Sequence, residues 1–173
     1  MSTDELVDVV DERDCVLTQA TRREVRLRNL RHRSVYIFVF NSAGQLFVHR
    51  RTQTKDIFPG YWDVAVGGVL RAGEDYDGGA RRELHEELGI DGAAALRRLF
   101  PMRYEDTHNR VFGVVYSCNW DRPMRLQSSE IAEGEWLDLD VVLERTQRDS
   151  FCPDGLQALR LFLSKLEAAR KRQ

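Results

Sequence analysis

Short runs of β-branched and aromatic residues, separated by polar turns, predict the strands of this chain. The clearest run is Val35–Phe40, which is apolar throughout and therefore typical of a buried strand. The turn residues of Asn41–Gly44 follow it and predict a hairpin with the next run. The other strands are predicted at Leu6–Val10, Cys15–Ala20, Leu46–Val48, Trp62–Val66, Leu96–Tyr104, Val111–Cys118 and Glu135–Leu137.

Capping residues and apolar positions at helical spacing predict the helices. Thr21 followed by Glu24 has the pattern of a capping box, which opens a short helix ending near Leu30. The other helices are predicted over Tyr76–Leu88 with Gly89 as its end, over Val141–Arg145 with Asp140 as its cap, and over a stripe formed by Leu156, Leu159, Phe162, Leu163 and Leu166. Elements in this order predict an α/β (α+β) fold, in which a mixed β-sheet lies between helices.

The composition is that of an ordinary globular protein. With 173 residues, of which 42% are hydrophobic and 31% charged, the chain is expected to be soluble and cytoplasmic, with a single domain over residues 1–173. Its apolar runs are too short to span a membrane, and its acidic N-terminus does not resemble a secretory signal. Cys15, Cys118 and Cys152 lie far apart in the sequence and are expected to be reduced thiols.

Positive charge is concentrated in two segments, although the net charge is only −2. Thr21–Arg33 contains six arginines, and the simplest interpretation is a solvated helix and its exit. Arg50, Arg51 and Lys55 form a second basic group. The overall charge gives no reason to expect stable nucleic-acid binding, and the expected state is a monomer or a homodimer.

The segment from Gly68 to Ile90 carries the strongest chemical signal. Glu83, Glu86 and Glu87 lie at positions i, i+3 and i+4, so they share one face of the predicted helix. Carboxylates this close repel one another unless a cation lies among them, and hard oxygen ligands suit Mg²⁺ or Mn²⁺. Gly68 allows a tight loop in which a backbone carbonyl also faces the metal. The alternative from spacing alone is a solvated acidic face with no ligand.

The residues around these glutamates support a positioned helix. Ala80, Leu84 and Leu88 repeat every four residues and are expected to anchor the helix to the sheet. Arg82 and Glu74 are candidates for an ion pair that joins the preceding loop to the helix.

The full pattern of this segment resembles the Nudix box at every fixed position. Those positions are Gly68, Glu74, Arg82, Glu83, Leu84, Glu86, Glu87, Gly89 and Ile90. The resemblance implies a Nudix fold over about residues 33–145 and a Mg²⁺-dependent hydrolase, with Mn²⁺ as a substitute. It also implies that Glu83, Glu86 and Glu87 hold the metal, that Arg82 orients the helix through Glu74, and that water attacks a phosphorus of a small-molecule diphosphate substrate.

Many Nudix proteins supply a further glutamate from outside the box, six residues before a tryptophan-containing strand. That spacing selects Glu130, counted back from Trp136, as a catalytic residue and metal ligand. The alternative is an exposed loop acid, with Glu133 and Glu105 as reserve candidates.

The segment before the box is similar to the branch that includes isopentenyl-diphosphate isomerase. The similarity lies in Arg51, Lys55 and the Pro59-Gly60-x-Trp62 segment, and it implies that the arginine and lysine grip a diphosphate. We include the adjacent Arg50 among the substrate-binding candidates. The alternative is a charged hairpin edge that resists aggregation.

Isomerase activity itself is not expected, because the sequence departs from that enzyme where its chemistry lies. The isomerase needs a cysteine and then a metal-binding histidine, and the matching positions here are Gly67 and Val69. His32 matches another histidine ligand of the isomerase, but the companion ligands are missing, which favours a structural role.

The sequence therefore favours a pyrophosphohydrolase, with nucleoside 5′-di- or triphosphates as the preferred substrate class. The alternatives are an isomerase-like enzyme and a nucleotide-binding module without turnover, although such modules usually lose box glutamates. Aromatic residues supply either base stacking or core packing: Tyr36, Phe58, Tyr61, Trp62, Tyr104 and Phe112.

Overall fold

A mixed β-sheet forms the centre of the protein in a computed structural model that describes residues 4–92 and 94–171. Its strands are β1 (Leu6–Val10), β2 (Val16–Thr21), β3 (His32–Phe40), β4 (Leu46–Arg51), β5 (Trp62–Asp63), β6 (Arg97–Glu105), β7 (Arg110–Asn119) and β8 (Ile131–Leu137). The helices are α1 (Arg22–Leu27), α2 (Tyr76–Leu88), α3 (Leu139–Arg145) and α4 (Pro153–Arg170).

The sheet is organised around β3. This strand pairs in parallel with β7, from His32 opposite Val111 to Phe40 opposite Asn119. All the other strand pairs are antiparallel: β1 with β2 and β3, β3 and β5 with β4, β6 with β7, and β8 with β4. A mixed sheet, as predicted, is therefore confirmed.

Both faces of the sheet are covered, which explains why Val35–Phe40 of β3 is apolar throughout. Successive side chains of a strand point to opposite faces. Ile37 packs in one hydrophobic cluster with Leu84 of α2, whereas Phe38 packs in another with Val142 of α3 and Leu159 of α4. The predicted arrangement, a sheet between helices, is correct.

The helix α2 has the start and the end that its sequence requires. The Asp75 side chain caps its first turn by accepting a hydrogen bond from the Gly78 N–H at 2.6 Å. Gly89 ends it with a φ of 67°, a conformation that favours glycine. The predicted anchors Ala80, Leu84 and Leu88 are buried against the sheet.

Two helix boundaries differ from the prediction. The Thr21 side chain caps α1 as expected, but the helix ends at Leu27, because Asn29 adopts a φ of 46° and turns the chain. In α3 the N-cap is Asp138, and Asp140 lies in the first turn instead. Acidic residues suit both positions, so the sequence alone does not separate them.

Two strands also differ in length. Strand β5 covers only Trp62–Asp63, and the residues after it contact the sheet through isolated bridges, from Val66 to Ile37 and from Val69 to Ser34. Strand β8 begins at Ile131, earlier than predicted, because its partner β4 extends to Arg51. The three cysteines are unpaired. In residues 4–92 and 94–171, no helix combines the length and apolar character that crossing a membrane requires.

Candidate active site

The carboxylates of α2 lie in unequal surroundings although they share one helix face. Glu83 and Glu87 are buried, with 1% and 5% of their surface exposed, whereas a third of the Glu86 side chain is exposed. All three line a cavity of about 350 Å³, together with Glu130, Arg71 and Gln127. The sequence-predicted acids of the helix and of the distant loop are thus brought to one place.

Burial raises the pKa of two of these acids. It raises the pKa of Glu83 to about 7, which Arg82 opposes and Glu86 reinforces. It raises the pKa of Glu87 to about 8, and the neighbouring Glu83 adds to the shift. A buried carboxylate is stabilised in its charged form by a nearby cation or by hydrogen-bond donors. The two acids therefore form a place where a cation would be bound favourably.

Arg82 joins the loop to the helix through two parallel bonds. Its Nε donates to Glu74 Oε1 at 2.8 Å and its Nη2 to Glu74 Oε2 at 2.7 Å. The remaining nitrogen, Nη1, reaches Glu83 at 2.7 Å and Glu86 at 3.1 Å. The predicted Arg82–Glu74 ion pair is present, and the same guanidinium fixes two of the box carboxylates.

The carboxylates are chemically suited to a divalent cation, but their oxygens are not grouped around one point. Within the part of the chain that the structure describes, no group of three or more His, Cys, Asp or Glu side chains is arranged as a finished metal site. Glu83 and Glu86 contact Arg82 instead, Glu86 also contacts Arg71, and Glu130 contacts Lys55. Four carboxylates around one cavity are hard oxygen ligands of the kind that Mg²⁺ and Mn²⁺ prefer.

Gly68 lies directly against Glu83. A Cβ at this position would come within 2.8 Å of Glu83 Oε1, so a larger residue would push the carboxylate aside. The carbonyl of Gly68 accepts a hydrogen bond from the Val35 N–H at 3.0 Å. A carbonyl oxygen has a second lone pair, so this bond is compatible with the predicted role as a ligand.

Glu130 reaches the cavity from the loop before β8 and forms an ion pair with Lys55. Burial alone would raise the pKa of Glu130, but the Lys55 ammonium holds it below its ordinary value. The reserve candidates lie elsewhere. Glu133 pairs with Arg50 at 3.3 Å. Glu105, at the end of β6, forms ion pairs with two arginines.

The three predicted substrate-binding cations have different positions. Lys55 forms an ion pair with Glu130 of the acidic cavity and lines two further cavities. Arg51 donates from Nη2 to the Ile57 carbonyl at 3.1 Å, while its buried Nε has no hydrogen-bond partner within the described residues. Arg50 points to the other side of β4, as the alternation of a strand requires, and bonds to the Gly60 carbonyl and Glu133. The structure does not bring Arg50 to the carboxylates.

A buried polar network behind this site was not foreseen. Asp154 accepts hydrogen bonds from Tyr36 Oη at 2.9 Å and Asn109 Nδ2 at 3.2 Å, and Asn109 Oδ1 accepts from Arg26 at 2.8 Å. These residues and Arg51 line a small cavity of about 50 Å³. No local motif marks them, because the fold collects them from four separate segments.

The positions that an isomerase would need are occupied by packing. Gly67 has a φ of 146°, and a Cβ there would collide with the Val35 carbonyl, so a cysteine does not fit without a backbone shift. Val69 is buried in an apolar cluster. His32 is also buried; its Nδ1 lies 2.9 Å from the Leu30 carbonyl, and burial beside Arg26 lowers its pKa to about 3. It has the surroundings of a structural histidine.

Most of the aromatic residues considered for base stacking have other contacts. Trp62 lies under Arg145 with 4.1 Å to the ring centre, and Phe112 lies under Arg103 with 4.6 Å. Phe58 packs on Tyr61, whose rings are 5.6 Å apart, and Tyr104 is buried in the core. Tyr36 lines the small polar cavity.

Comparison with known proteins gives a consistent result. The NUDIX domain pattern matches residues 30–157. A Nudix hydrolase of Pseudomonas aeruginosa, PA4841, is 46% identical over 159 residues, which cover 92% of this chain and 94% of the relative. The Nudix hydrolase YfcD of Escherichia coli K12 is 40% identical over 165 residues, covering 95% of this chain and 90% of that protein.

Solved structures agree with these relatives. The crystal structure of DR0079 from Deinococcus radiodurans matches with a TM-score of 0.79 at 34% identity, covering 90% of this chain and 98% of that one. A MutT protein from Methanosarcina mazei matches with a TM-score of 0.66 at 24% identity, covering 82% and 96%, and supports the fold alone.

Proposed function

Because the chain belongs to the Nudix hydrolases, which act on phosphorus-containing acid anhydrides, we propose that it is a magnesium-dependent pyrophosphohydrolase. Its substrates are nucleoside 5′-di- or triphosphates, in which it cleaves a diphosphate linkage by attack of water on phosphorus. Mn²⁺ serves as a substitute for Mg²⁺. The observation that carries the proposal is the meeting of four carboxylates around one cavity, two of them buried on α2.

The proposed metal ligands are Glu83, Glu86 and Glu87, with the Gly68 carbonyl and Glu130 as further oxygen donors. A bound divalent cation supplies neutralisation of phosphate charge and lowers the pKa of coordinated water. Arg82 is a positioning residue, because its two bonds to Glu74 fix the angle of α2 relative to the preceding loop.

Glu130 is the proposed acceptor of the proton from the attacking water. Its carboxylate comes from a loop, so it approaches the reacting atoms independently of the helix. Its pKa lies below the ordinary value because of Lys55, so the group is ionised at neutral pH, and it becomes a stronger base when the Lys55 contact weakens. When phosphate oxygens enter, Lys55 has a second anionic partner to contact and releases part of its hold on Glu130.

Arg51 and Lys55 are proposed to bind the phosphate oxygens. Arg51 offers a planar fork. Its buried Nε has no partner among the described residues, which is supporting evidence because a buried donor without a partner is costly. Lys55 offers a compact charge next to the acids. Arg50 is left out of the proposal, since its guanidinium is bonded on the opposite side of the strand.

The test is a screen of nucleoside di- and triphosphates, nucleotide sugars, dinucleoside polyphosphates and isopentenyl diphosphate with Mg²⁺ or Mn²⁺. Products are identified by mass in ¹⁸O-labelled water, so that the labelled fragment marks the phosphorus attacked. We expect labelled phosphate or nucleotide products that disappear with EDTA. Binding of these compounds without any product would instead favour the nucleotide-binding module, and isomerised isopentenyl diphosphate would favour the isomerase.

A further inference from the structure

A large cavity of about 660 Å³ lies beside the acidic cavity. Its walls come from α1, from the loop after β4 and from the loop before β8. The charged residues that line it are Arg22, Arg23, Arg26, Lys55, Asp56 and Glu130. The arginines belong to the segment whose simplest interpretation was a solvated helix, but three of them line a concave surface.

This cavity adjoins the proposed reaction site. Glu130 lines both the large cavity and the acidic cavity, and Lys55, its ion-pair partner, lines the large one. A substrate whose diphosphate lies against the α2 carboxylates therefore extends past Lys55 towards α1. Ligand pockets of several hundred cubic ångströms accommodate a nucleotide-sized group.

The charge of the cavity favours an anion. Four basic side chains face two acidic ones. Arg22 and Arg26 both donate from Nε to the same Asp56 oxygen, at 3.1 and 3.2 Å, which holds the two guanidiniums side by side. Arg23 is exposed, and no acidic residue within the described part of the chain pairs with it. An arginine pair with fixed geometry is suited to the oxygens of a phosphate.

The lining gives less support to recognition of a base by stacking. No aromatic side chain of the described residues lines this cavity, and its large apolar residue, Leu27, is 83% exposed. The hydroxyl-bearing residues Thr54 and Ser129 lie in the same wall and are suitable donors to phosphate oxygens.

We propose that the α1 arginines bind a phosphate group that the substrate carries in addition to the scissile diphosphate. This inference rests on the proposed function, because the diphosphate is taken to lie at the α2 carboxylates. The additional phosphate has two sources, the third contiguous phosphate of a triphosphate or a separate phosphate on the ribose. Both offer the same chemistry to Arg22, Arg23 and Arg26.

The experiment compares Arg23→Gln with Arg28→Gln. Arg23 is on the cavity wall and exposed, so its loss is compatible with folding, whereas Arg28 is the C-cap of the same helix and pairs with Glu24 outside the cavity. The substrates are ADP, ATP and adenosine 3′-phosphate 5′-diphosphate, each with Mg²⁺. We expect Arg23→Gln to lower kcat/KM by about tenfold for either ATP or adenosine 3′-phosphate 5′-diphosphate, relative to its effect on ADP. This is the size expected for loss of a hydrogen bond to a charged group.

The pattern of loss identifies the source of the phosphate. Loss with ATP alone indicates the third contiguous phosphate, and loss with the 3′-phosphate compound alone indicates a separate group. An unchanged ratio for both compounds, or an equal change in Arg28→Gln, overturns the proposal.

A second measurement separates this proposal from the hydrolase itself. Calorimetric titration of the metal-free protein in EDTA uses adenosine 3′,5′-bisphosphate and inorganic tripolyphosphate as probes. We expect Arg23→Gln to weaken binding of at least one probe by about tenfold, with Arg28→Gln unchanged. If no compound is hydrolysed but this difference is present, the proposed function fails and the anion site stands. Equal binding by both variants overturns the site.

Discussion

At the level of single residues, the surroundings of each carboxylate differ more than its position on the helix suggests. Glu86 is part exposed and contacts two arginines, whereas Glu87 is buried next to other acids. The two are nevertheless proposed as ligands of one metal, so removing either charge should affect the same step.

We expect Glu86→Gln and Glu87→Gln each to lower kcat by at least ~10²-fold, because each removes a ligand from a charge-stabilising metal site. Steady-state assays at saturating Mg²⁺ measure the effect. Glu133→Gln is the matched control, since Glu133 is exposed and paired with Arg50. Near-normal turnover in both variants would remove the metal-site assignment.

For Glu130 the expected defect lies in proton transfer. Glu130→Gln should lower kcat by roughly 10²–10⁴-fold, as for loss of a general base. Binding of the metal held by the α2 carboxylates should be largely unchanged. Titration with Mn²⁺ reports on metal binding while product release reports on turnover. Should Glu130→Gln remain active while Glu133→Gln or Glu105→Gln is inactive, the base lies elsewhere.

Variants of Arg51 test phosphate binding, and a variant of the neighbouring Arg50 is the control. Arg51→Ala should raise KM more than it lowers kcat if its contacts are equal in the ground and transition states, and Arg51→Lys should also be impaired if the contact is bidentate. Lys55→Ala is expected to raise KM too, but it also removes the ion-pair partner of Glu130. Arg50→Ala, on the other side of the strand, should be close to wild type, and equal effects at Arg50 and Arg51 would contradict the assignment.

For single residues, the sequence predicts the contacts that follow from helical geometry or from the box pattern. The shared face of Glu83, Glu86 and Glu87 follows from their spacing, and the Arg82–Glu74 pair follows from the box. The contact between Lys55 and Glu130 joins two loops far apart in the chain, and no local spacing encodes it. For the same reason the hydrogen bond of Asn109 to Asp154 could not be predicted.

At the level of elements, the short strand β5 is packed against the start of α4 through a buried acid. Asp63 Oδ1 accepts a hydrogen bond from the Ala65 N–H at 3.2 Å and lies against Gly155. Burial raises its pKa to about 7, and Asp154 adds to the shift, while Arg51 opposes it and Cys152 lies alongside. Ionisation of Asp63 therefore works against this junction.

The sign of the pH effect follows from the two pKa values. An unfolded aspartate loses its proton near pH 4, whereas folded Asp63 retains it to about pH 7. Stability from this residue is therefore lost as the pH rises from 4 to 7. We expect Asp63→Asn, which keeps the acceptor oxygen, to gain in Tm relative to wild type over that range, measured by thermal unfolding. Asp140→Asn on exposed α3 is the control, and a constant Tm difference for Asp63→Asn would contradict the prediction.

Element boundaries were less predictable than element types. The bounds of helix α2 were predicted correctly, with Gly89 as the local signal for its end. The extent of β5 and β8 depends on what their partner β4 offers, which is a tertiary property. The end of α1 depends on a left-handed asparagine, a conformation that its sequence allows but does not require.

For the whole molecule, we expect the closely spaced acids of α2 to lower stability when no metal is bound. We expect Mg²⁺ at 100 times its Kd to raise the Tm by about 5–11 °C, from about 2.7 kcal/mol of linked binding free energy and about 2–4 °C per kcal/mol for a domain of this size. Glu87→Gln should equal or exceed wild type in Tm in EDTA and lose most of the shift, by differential scanning calorimetry. A lower Tm in EDTA would mean that Glu87 stabilises the metal-free fold.

The Nudix assignment and the mixed sheet could be predicted at this scale because the box is local and the strands are strongly apolar. The pairing of β3 with β7 could not, since sequence patterns do not specify which strands become neighbours. The cavity against α1 was also missed, because an arginine-rich helix has the same sequence pattern whether it faces bulk water or a groove.

The parallel pairing of β3 with β7 has a consequence for the order of events during synthesis. The whole Nudix box lies between the two strands, so every box residue leaves the ribosome before β7 does. Val114 and Tyr116 of β7 form part of the surface on which Leu84 packs. Contacts between distant segments form late because a long loop must close first. A nascent chain that has just completed the box therefore carries its acidic helix without the β7 part of the surface on which that helix packs.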